Sequence, residues 1–390
     1  MTDFESLKPK LNKIQRRSGM LGGAILALCV VGLFHEHTQF YQSYLFGYVF
    51  WLGLTLGSLV LLSLHHLVGG GWGFVIQRFL ESGTSTLPLM AILFLPLFFG
   101  MQDLYDWARP ESVAADSLLQ HKAKYLNVGF FWVRAAVYFL IWGALITFLN
   151  KWSKKQDETA DASLSDKLRK LGGPAMLLYF LTVTFSSIDW VMSLAPQWFS
   201  TIFGVIFVIG QGLLTLAFAI IALNMFSGYK PLSDILGKQH FHDLGNLMLA
   251  FVMLWAYISL SQFLIIWSGN LPEEIPWYLD RLQGGWQWLA LFVVIFHFAL
   301  PFILLLSRRT KRNQRVLAKV AFVMVFMRLI DLFWIVAPNF HPGKISVHWL
   351  DLAVPAGIGG VWVAFFIRNL KGCAVLPLHD PRLKEALQYE

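Results

Sequence analysis

Cysteine is almost missing: the 390 residues hold two, Cys29 and Cys373. One lies in an apolar run and the other beside the basic C-terminal segment, so no disulfide is expected between them. Without a C-x-x-C, a C-x-x-C-H or a Cys/His cluster, the chain has no ligand set for zinc, an iron–sulfur cluster or c-type haem. Glycine-rich phosphate loops and a catalytic triad are missing too, which argues against nucleotide-dependent and hydrolytic chemistry. A b-type haem is disfavoured by depth, because His297 and the His65–His66 pair stand about 15 Å apart along their helix axes. Charge is scarce, at 14% of residues, while 56% are hydrophobic and Phe (34) and Trp (16) are frequent. A soluble domain of that balance would expose large apolar patches.

What is present is a series of apolar runs near the length of a bilayer crossing. Ten are legible, at about 18–35, 43–67, 84–104, 127–150, 172–194, 200–226, 244–268, 285–306, 318–337 and 347–367. They make the chain an all-α, polytopic membrane protein with ten transmembrane helices. The first run is too long for a signal peptide and no small-residue cleavage site follows Phe34, so it is read as a retained helix. With the N-terminus inside, one side holds about 24 Lys and Arg, and the other only Arg109, Lys122, Lys124, Arg281 and Lys344. That asymmetry puts both termini in the cytoplasm, as a basic tail over 1–17 and a short tail over 371–390, with the membrane domain over 18–370. The basic loops then read as topology signals and anionic-lipid contacts, not as a nucleic-acid surface.

One motif occurs twice. Ile188-Asp189 is followed by Ala195-Pro196-Gln197-Trp198, and Ile330-Asp331 is followed at the same spacing by Ala337-Pro338-Asn339-Phe340. A second match lies upstream in the same order: Phe46-Gly47, Phe50 and Gly53 against Phe203-Gly204, Phe207 and Gly210. The spacing predicts a duplicated four-helix bundle, with halves at about 43–194 and 200–337 and flanking helices at 18–35 and 347–367. Four is even, so both copies run in the same sense across the membrane, as a parallel repeat. Gly19, Gly22 and Gly23 permit close helix contact. Residues 72–83 extend the third span inward, and Pro88, Pro96 and Pro301 are expected to kink their helices. The external segment 105–126 is expected to face a partner, and the charged segment 151–170 to be a mobile linker.

The repeat places Asp189 and Asp331 roughly 10 Å inside the end of a membrane helix. A carboxylate there costs a few kcal/mol unless it is paired, protonated or watered. Ser186 and Ser187 offer hydroxyls that hold water beside Asp189. Arg328 lies three residues before Asp331, on the same helical face, and Arg134 in the fourth span is the matching cation for Asp189. His297, near the middle of the eighth span, titrates near neutral pH when accessible. Tyr138, Tyr179 and Tyr257 are candidates to extend a hydrogen-bonded chain, and Asp103 and Asp351 stand at outer helix ends. The set fits proton transfer or polar-ligand binding. It also fits a scaffold whose acids pin helices together, and a secondary transporter with its site between two repeat bundles.

The sequence resembles the F membrane subunit family of alternative complex III, the bacterial quinol:cytochrome c (or other acceptor) oxidoreductase. The stretches that carry the likeness are Ser187–Gly204, Arg328–His341, His348–Asp351 with Gly357–Gly360, Pro377–Leu383 and Tyr44–Trp51. The likeness covers essentially the whole chain and extends to polysulfide-reductase-type membrane anchors. It implies ten helices in two four-helix bundles, in a bacterial inner membrane, as a non-catalytic subunit. It implies as partners a related C membrane subunit that takes the quinol, an iron–sulfur subunit and cytochrome c subunits on the outer face. Quinol, haem c and iron–sulfur clusters would sit in those partners, with none bound by this chain. The F subunit would offer a transmembrane proton route or half-channels, with Asp189 and Asp331 in its polar core.

Overall fold

The structure is a computed structural model that describes residues 3–377, 379 and 380, and the described residues form helices and no strand. Ten helices are long and apolar enough to cross a membrane. They are α1 (Asp3–His35), α2 (His37–Val68), α3 (Gln77–Phe98), α4 (Val128–Thr159) and α5 (Ser163–Trp190). Then come α6 (Phe203–Phe226), α7 (Lys238–Gly269), α8 (Trp286–Leu306), α9 (Gln314–Val336) and α10 (Trp349–Leu370). In the first half α2 packs on α3 and α5, and α4 joins α3 to α5. In the second half α6 packs on α7 and α9, and α8 joins α7 to α9. Each half is therefore a four-helix ring with the same pairing order.

The rings meet along α2 and α6, with α5 also packed on α6. Both central helices are apolar on every side, which suits rods buried all round, and they are the two most buried spans. Contact between them depends on glycine. A Cβ on Gly57 would land on the Gln211 carbonyl and the Thr215 hydroxyl. That hydroxyl donates to the Leu54 carbonyl across the joint, at 3.2 Å.

The flanking helices α1 and α10 make the most extensive helix pair. Gly22 faces the backbone of Gly357, Gly360 and Val361, and Gly360 faces the backbone of Ser18 and Gly22. Small residues let two membrane helices approach until dispersion contacts replace lipid ones. Gly22→Leu should push α1 off α10 at a cost of about 1–3 kcal/mol. The measurement is a disulfide between cysteines placed at Gly19 and Ala364, which are neighbours across this joint. The bond should form in the parent and fail when Gly22→Leu is added.

Several expectations need correction. The segment 151–170 is not a linker: α4 runs to Thr159, α5 starts at Ser163, and only 160–162 intervene. Gln156 Nε2 donates to Ser165 Oγ at 2.6 Å across this tight turn, and Leu164 and Leu168 are buried. Lys, Glu and Gln are good helix formers in water, so charge alone does not end a helix. For the same reason the tail 1–17 is helical from Asp3 onward, with Leu7 and Leu11 buried. The inward extension of α3 exists, as helical turns at Gly71–Phe74 and Gln77–Thr84. Its helix breaks before Pro88 and tightens to a 3-10 turn at Pro96. In α8 the turns Val294–Ala299 widen to a π-helix just before Pro301, which lacks the N–H an α-turn needs. The segment 105–126 folds as short helices Pro110–Ala115 and Ser117–Lys122, anchored by buried Trp107 and Leu119. The C-terminal tail beyond residue 380, including most of Pro377–Leu383, lies outside the described residues.

Candidate functional site

Asp189 is the penultimate residue of α5 and is completely buried. Arg134 on α4 grips it in a fork, with Nε on Oδ2 at 2.8 Å and Nη2 on Oδ1 at 2.9 Å. Tyr138, one turn further along α4, donates its hydroxyl to Oδ2 at 2.8 Å. The third edge of the guanidinium donates to the Tyr125 carbonyl at 2.8 Å and its face covers the Tyr125 ring at 3.9 Å. A two-bond fork with its lone pairs and protons answered is the geometry in which a buried pair offsets its desolvation. Burial and the nearby Asp189 carboxylate push the Tyr125 phenol up to about 12. Ser186 and Ser187 do not serve Asp189. Their hydroxyls donate back to the carbonyls of Val183 at 3.1 Å and Thr184 at 2.8 Å.

The chain that follows Asp189 is tied down from outside the bundle. Tyr105 donates to the Trp190 carbonyl at 2.9 Å, Trp107 to that of Ser193 at 3.1 Å, and Lys122 to that of Pro196 at 2.6 Å. Partial burial lowers the Lys122 ammonium from its ordinary pKa, against the opposing pull of Asp116.

The second half repeats the plan with different parts. Asp331 lies on α9, the helix equivalent to α5, and is buried. Its Oδ2 accepts from Arg328 on its own helix and from Trp255 Nε1 on α7 at 3.2 Å. Arg281, buried beyond the membrane spans, donates to the carbonyls of Trp277 at 2.8 Å and Ile335 at 2.7 Å, and to Asn339 Oδ1 at 3.0 Å. It thereby clasps the Ala337-Pro338-Asn339 turn as Lys122 clasps Ala195-Pro196. Burial brings the Arg281 guanidinium down to about 9. His297 is fully buried in the π-turn with its ring 4.4 Å from that of Trp255, and neither ring nitrogen has a hydrogen-bond partner.

The remaining expected residues scatter. Tyr257 is 67% exposed on the outer flank of α7, so it stands outside the buried polar network. Its neighbour Trp255 faces the other way and takes the role expected of it. Asp103 binds the Thr38 hydroxyl at 2.8 Å and His37 at 3.1 Å near the surface. Asp351 caps α10 and accepts from Ser43 at 2.6 Å. Tyr179 donates to Gln211 Oε1 at 2.7 Å, bridging α5 to α6.

A third polar cluster, at the opposite end of the first bundle, was read in sequence only as interface charge. Arg78 on α3 is 2% exposed and pairs with Glu81 at 2.6 Å and with Asp157 on α4. Ser153 donates to Glu81 at 2.6 Å and accepts from Arg78 at 3.0 Å, while Gln77 donates to Glu81 at 2.9 Å. The signal available was the i, i+1, i+4 spacing of Gln77, Arg78 and Glu81, which puts them on one face of a helix. Among the described residues no three His, Cys, Asp or Glu side chains gather as a metal site. The chain matches no family model, and no curated protein matches it.

Proposed function

We propose that this chain is a non-catalytic membrane subunit of a respiratory quinol:cytochrome c (or other acceptor) oxidoreductase of the bacterial inner membrane, with both termini cytoplasmic. In this reading it provides a proton pathway beside a quinol-oxidising partner subunit, with iron–sulfur and cytochrome c subunits completing the complex. The observation that carries the reading is the repeated buried acid: Asp189 with Arg134 and Tyr138, and Asp331 with Arg328 and Trp255. Buried carboxylates on matched helices, held by donors rather than by metal, suit proton exchange more than electron transfer. Arg78, Glu81 and Asp157 extend the polar groups of the first bundle towards the opposite end.

The rival reading, a secondary transporter with its substrate between the bundles, finds little room. The space among α2, α5 and α6 near Gln211 is about 10 Å³, enough for roughly one water. That size favours a proton over a solute.

The test has two arms. A tag on this chain should bring down multihaem cytochrome and iron–sulfur subunits, and a chain that purifies alone or as a homo-oligomer would overturn the reading. In liposomes, Asp189→Asn should abolish proton movement across the membrane while quinol oxidation by the assembled complex continues. Undiminished proton movement with intact assembly would leave the acids as helix pins.

A further inference from the structure

The second bundle contains a cavity of about 550 Å³ between α7, α8 and the segment 277–282, inside the ~300–1,000 Å³ usual for small-molecule sites. We infer that it binds a lipid-soluble ring compound bearing hydroxyl or carbonyl groups on a hydrocarbon tail, admitted from the bilayer between α7 and α8. Three observations carry this.

The first is the lining. Flat aromatic walls from Trp255, Phe263, Trp277 and Tyr278 enclose the space, and polar atoms are few. One is the Tyr278 hydroxyl, which accepts from Gln262 Nε2 at 3.2 Å, while Gln262 accepts from Ser200 at 3.0 Å. That order of donors leaves the phenolic hydrogen directed to a ligand carbonyl. Burial pushes the Tyr278 phenol up to about 12, so it is a neutral donor at physiological pH. The other is Asp331, whose Oδ2 is engaged by Arg328 and Trp255, which leaves Oδ1 to accept from a ligand hydroxyl. An acyl chain alone would use neither group.

The second is the entrance. Met253, Tyr257 and Leu260 on α7 and Val294 on α8 line the cavity and are also exposed on the side of the bundle. The mouth thus opens on the surface that faces hydrocarbon, where an apolar molecule is concentrated and a polar solute is not.

The third is the contrast with the first bundle. The corresponding space between α3 and α4 is filled by Phe94, Phe139, Trp142 and Trp190, with Phe94 4.8 Å and Phe139 6.2 Å from Trp190. One ring is packed solid and its counterpart is hollow. The π-turn contributes, because Val294 and Phe298 within it are lining residues and the widened turn shifts where they point.

The inference rests on this cavity and not on the proton reading, so the two fail separately. The probe is a decyl-tailed benzoquinone carrying an azide, photolysed in membranes containing the full chain with its native partners and mapped by mass spectrometry. Adducts should fall on residues 253–282 of this chain and be displaced by unlabelled decyl-benzoquinol. Ala256→Trp, which fills the cavity, should remove them without lowering the melting temperature. Tyr278→Phe, a milder change, should weaken displacement roughly three- to tenfold. Adducts confined to other subunits would overturn the inference, and so would displacement by palmitic acid that is equally effective and indifferent to Tyr278→Phe.

Discussion

Asp189→Ala is expected to destabilise the protein by about 3–5 kcal/mol, because it strands a guanidinium where water does not reach. Arg134 has two of its nitrogens on that carboxylate and is 8% exposed. Removing the acid leaves those donors unanswered and a full charge uncompensated, whereas the fork itself contributes little net stability over an apolar pair. The double variant Arg134→Met, Asp189→Leu should therefore recover most of the loss. Equilibrium unfolding in mixed micelles reads both numbers. A single variant within about 1 kcal/mol of the parent would mean that water already reaches the pair.

Gly57→Leu should be at least as damaging, at about 3 kcal/mol or more, by a different route. The obstacle is the main chain of α6 at Gln211 together with the Thr215 hydroxyl, not the yielding tip of a long side chain. The substitution must separate the two rings along the helices that hold them together. Gly23→Leu is the control, since a side chain there meets nothing within 4 Å. The measurement is the folded fraction recovered from membranes, compared between the two leucine variants. Equal recovery would show that α2 and α6 do not approach closely in the membrane.

The ten spans, the duplication and the two acids were legible because each leaves a one-dimensional trace. Runs of apolar residues, a repeated motif and a charge inside a run can all be seen without knowing which helices touch. Arg134 was legible as a misplaced charge, and Arg328 by its spacing from Asp331. The partners that carry no such mark were not. Trp255 reads as packing until its indole N–H is found on Asp331. Tyr257 was favoured by residue type, but which flank of α7 turns inward is decided by packing against α6 and α8. Arg78 and Asp157 are 79 positions apart in sequence, and nothing in either neighbourhood names the other. The segment 151–170 misled because solvated helix and loop share a composition.

The two halves hold their acids by unlike means. Arg134 belongs to the helix beside Asp189, so that bond is a strap between two rods, while Arg328 and Asp331 share one rod. Neutralising the first acid would slacken the hold of α4 on α5 and let mechanical play spread towards the turn at 160–162. Neutralising the second would free one side chain and leave its rod where it stands. In a duplicated frame, that difference makes the first half the flexible hinge and the second the fixed anvil.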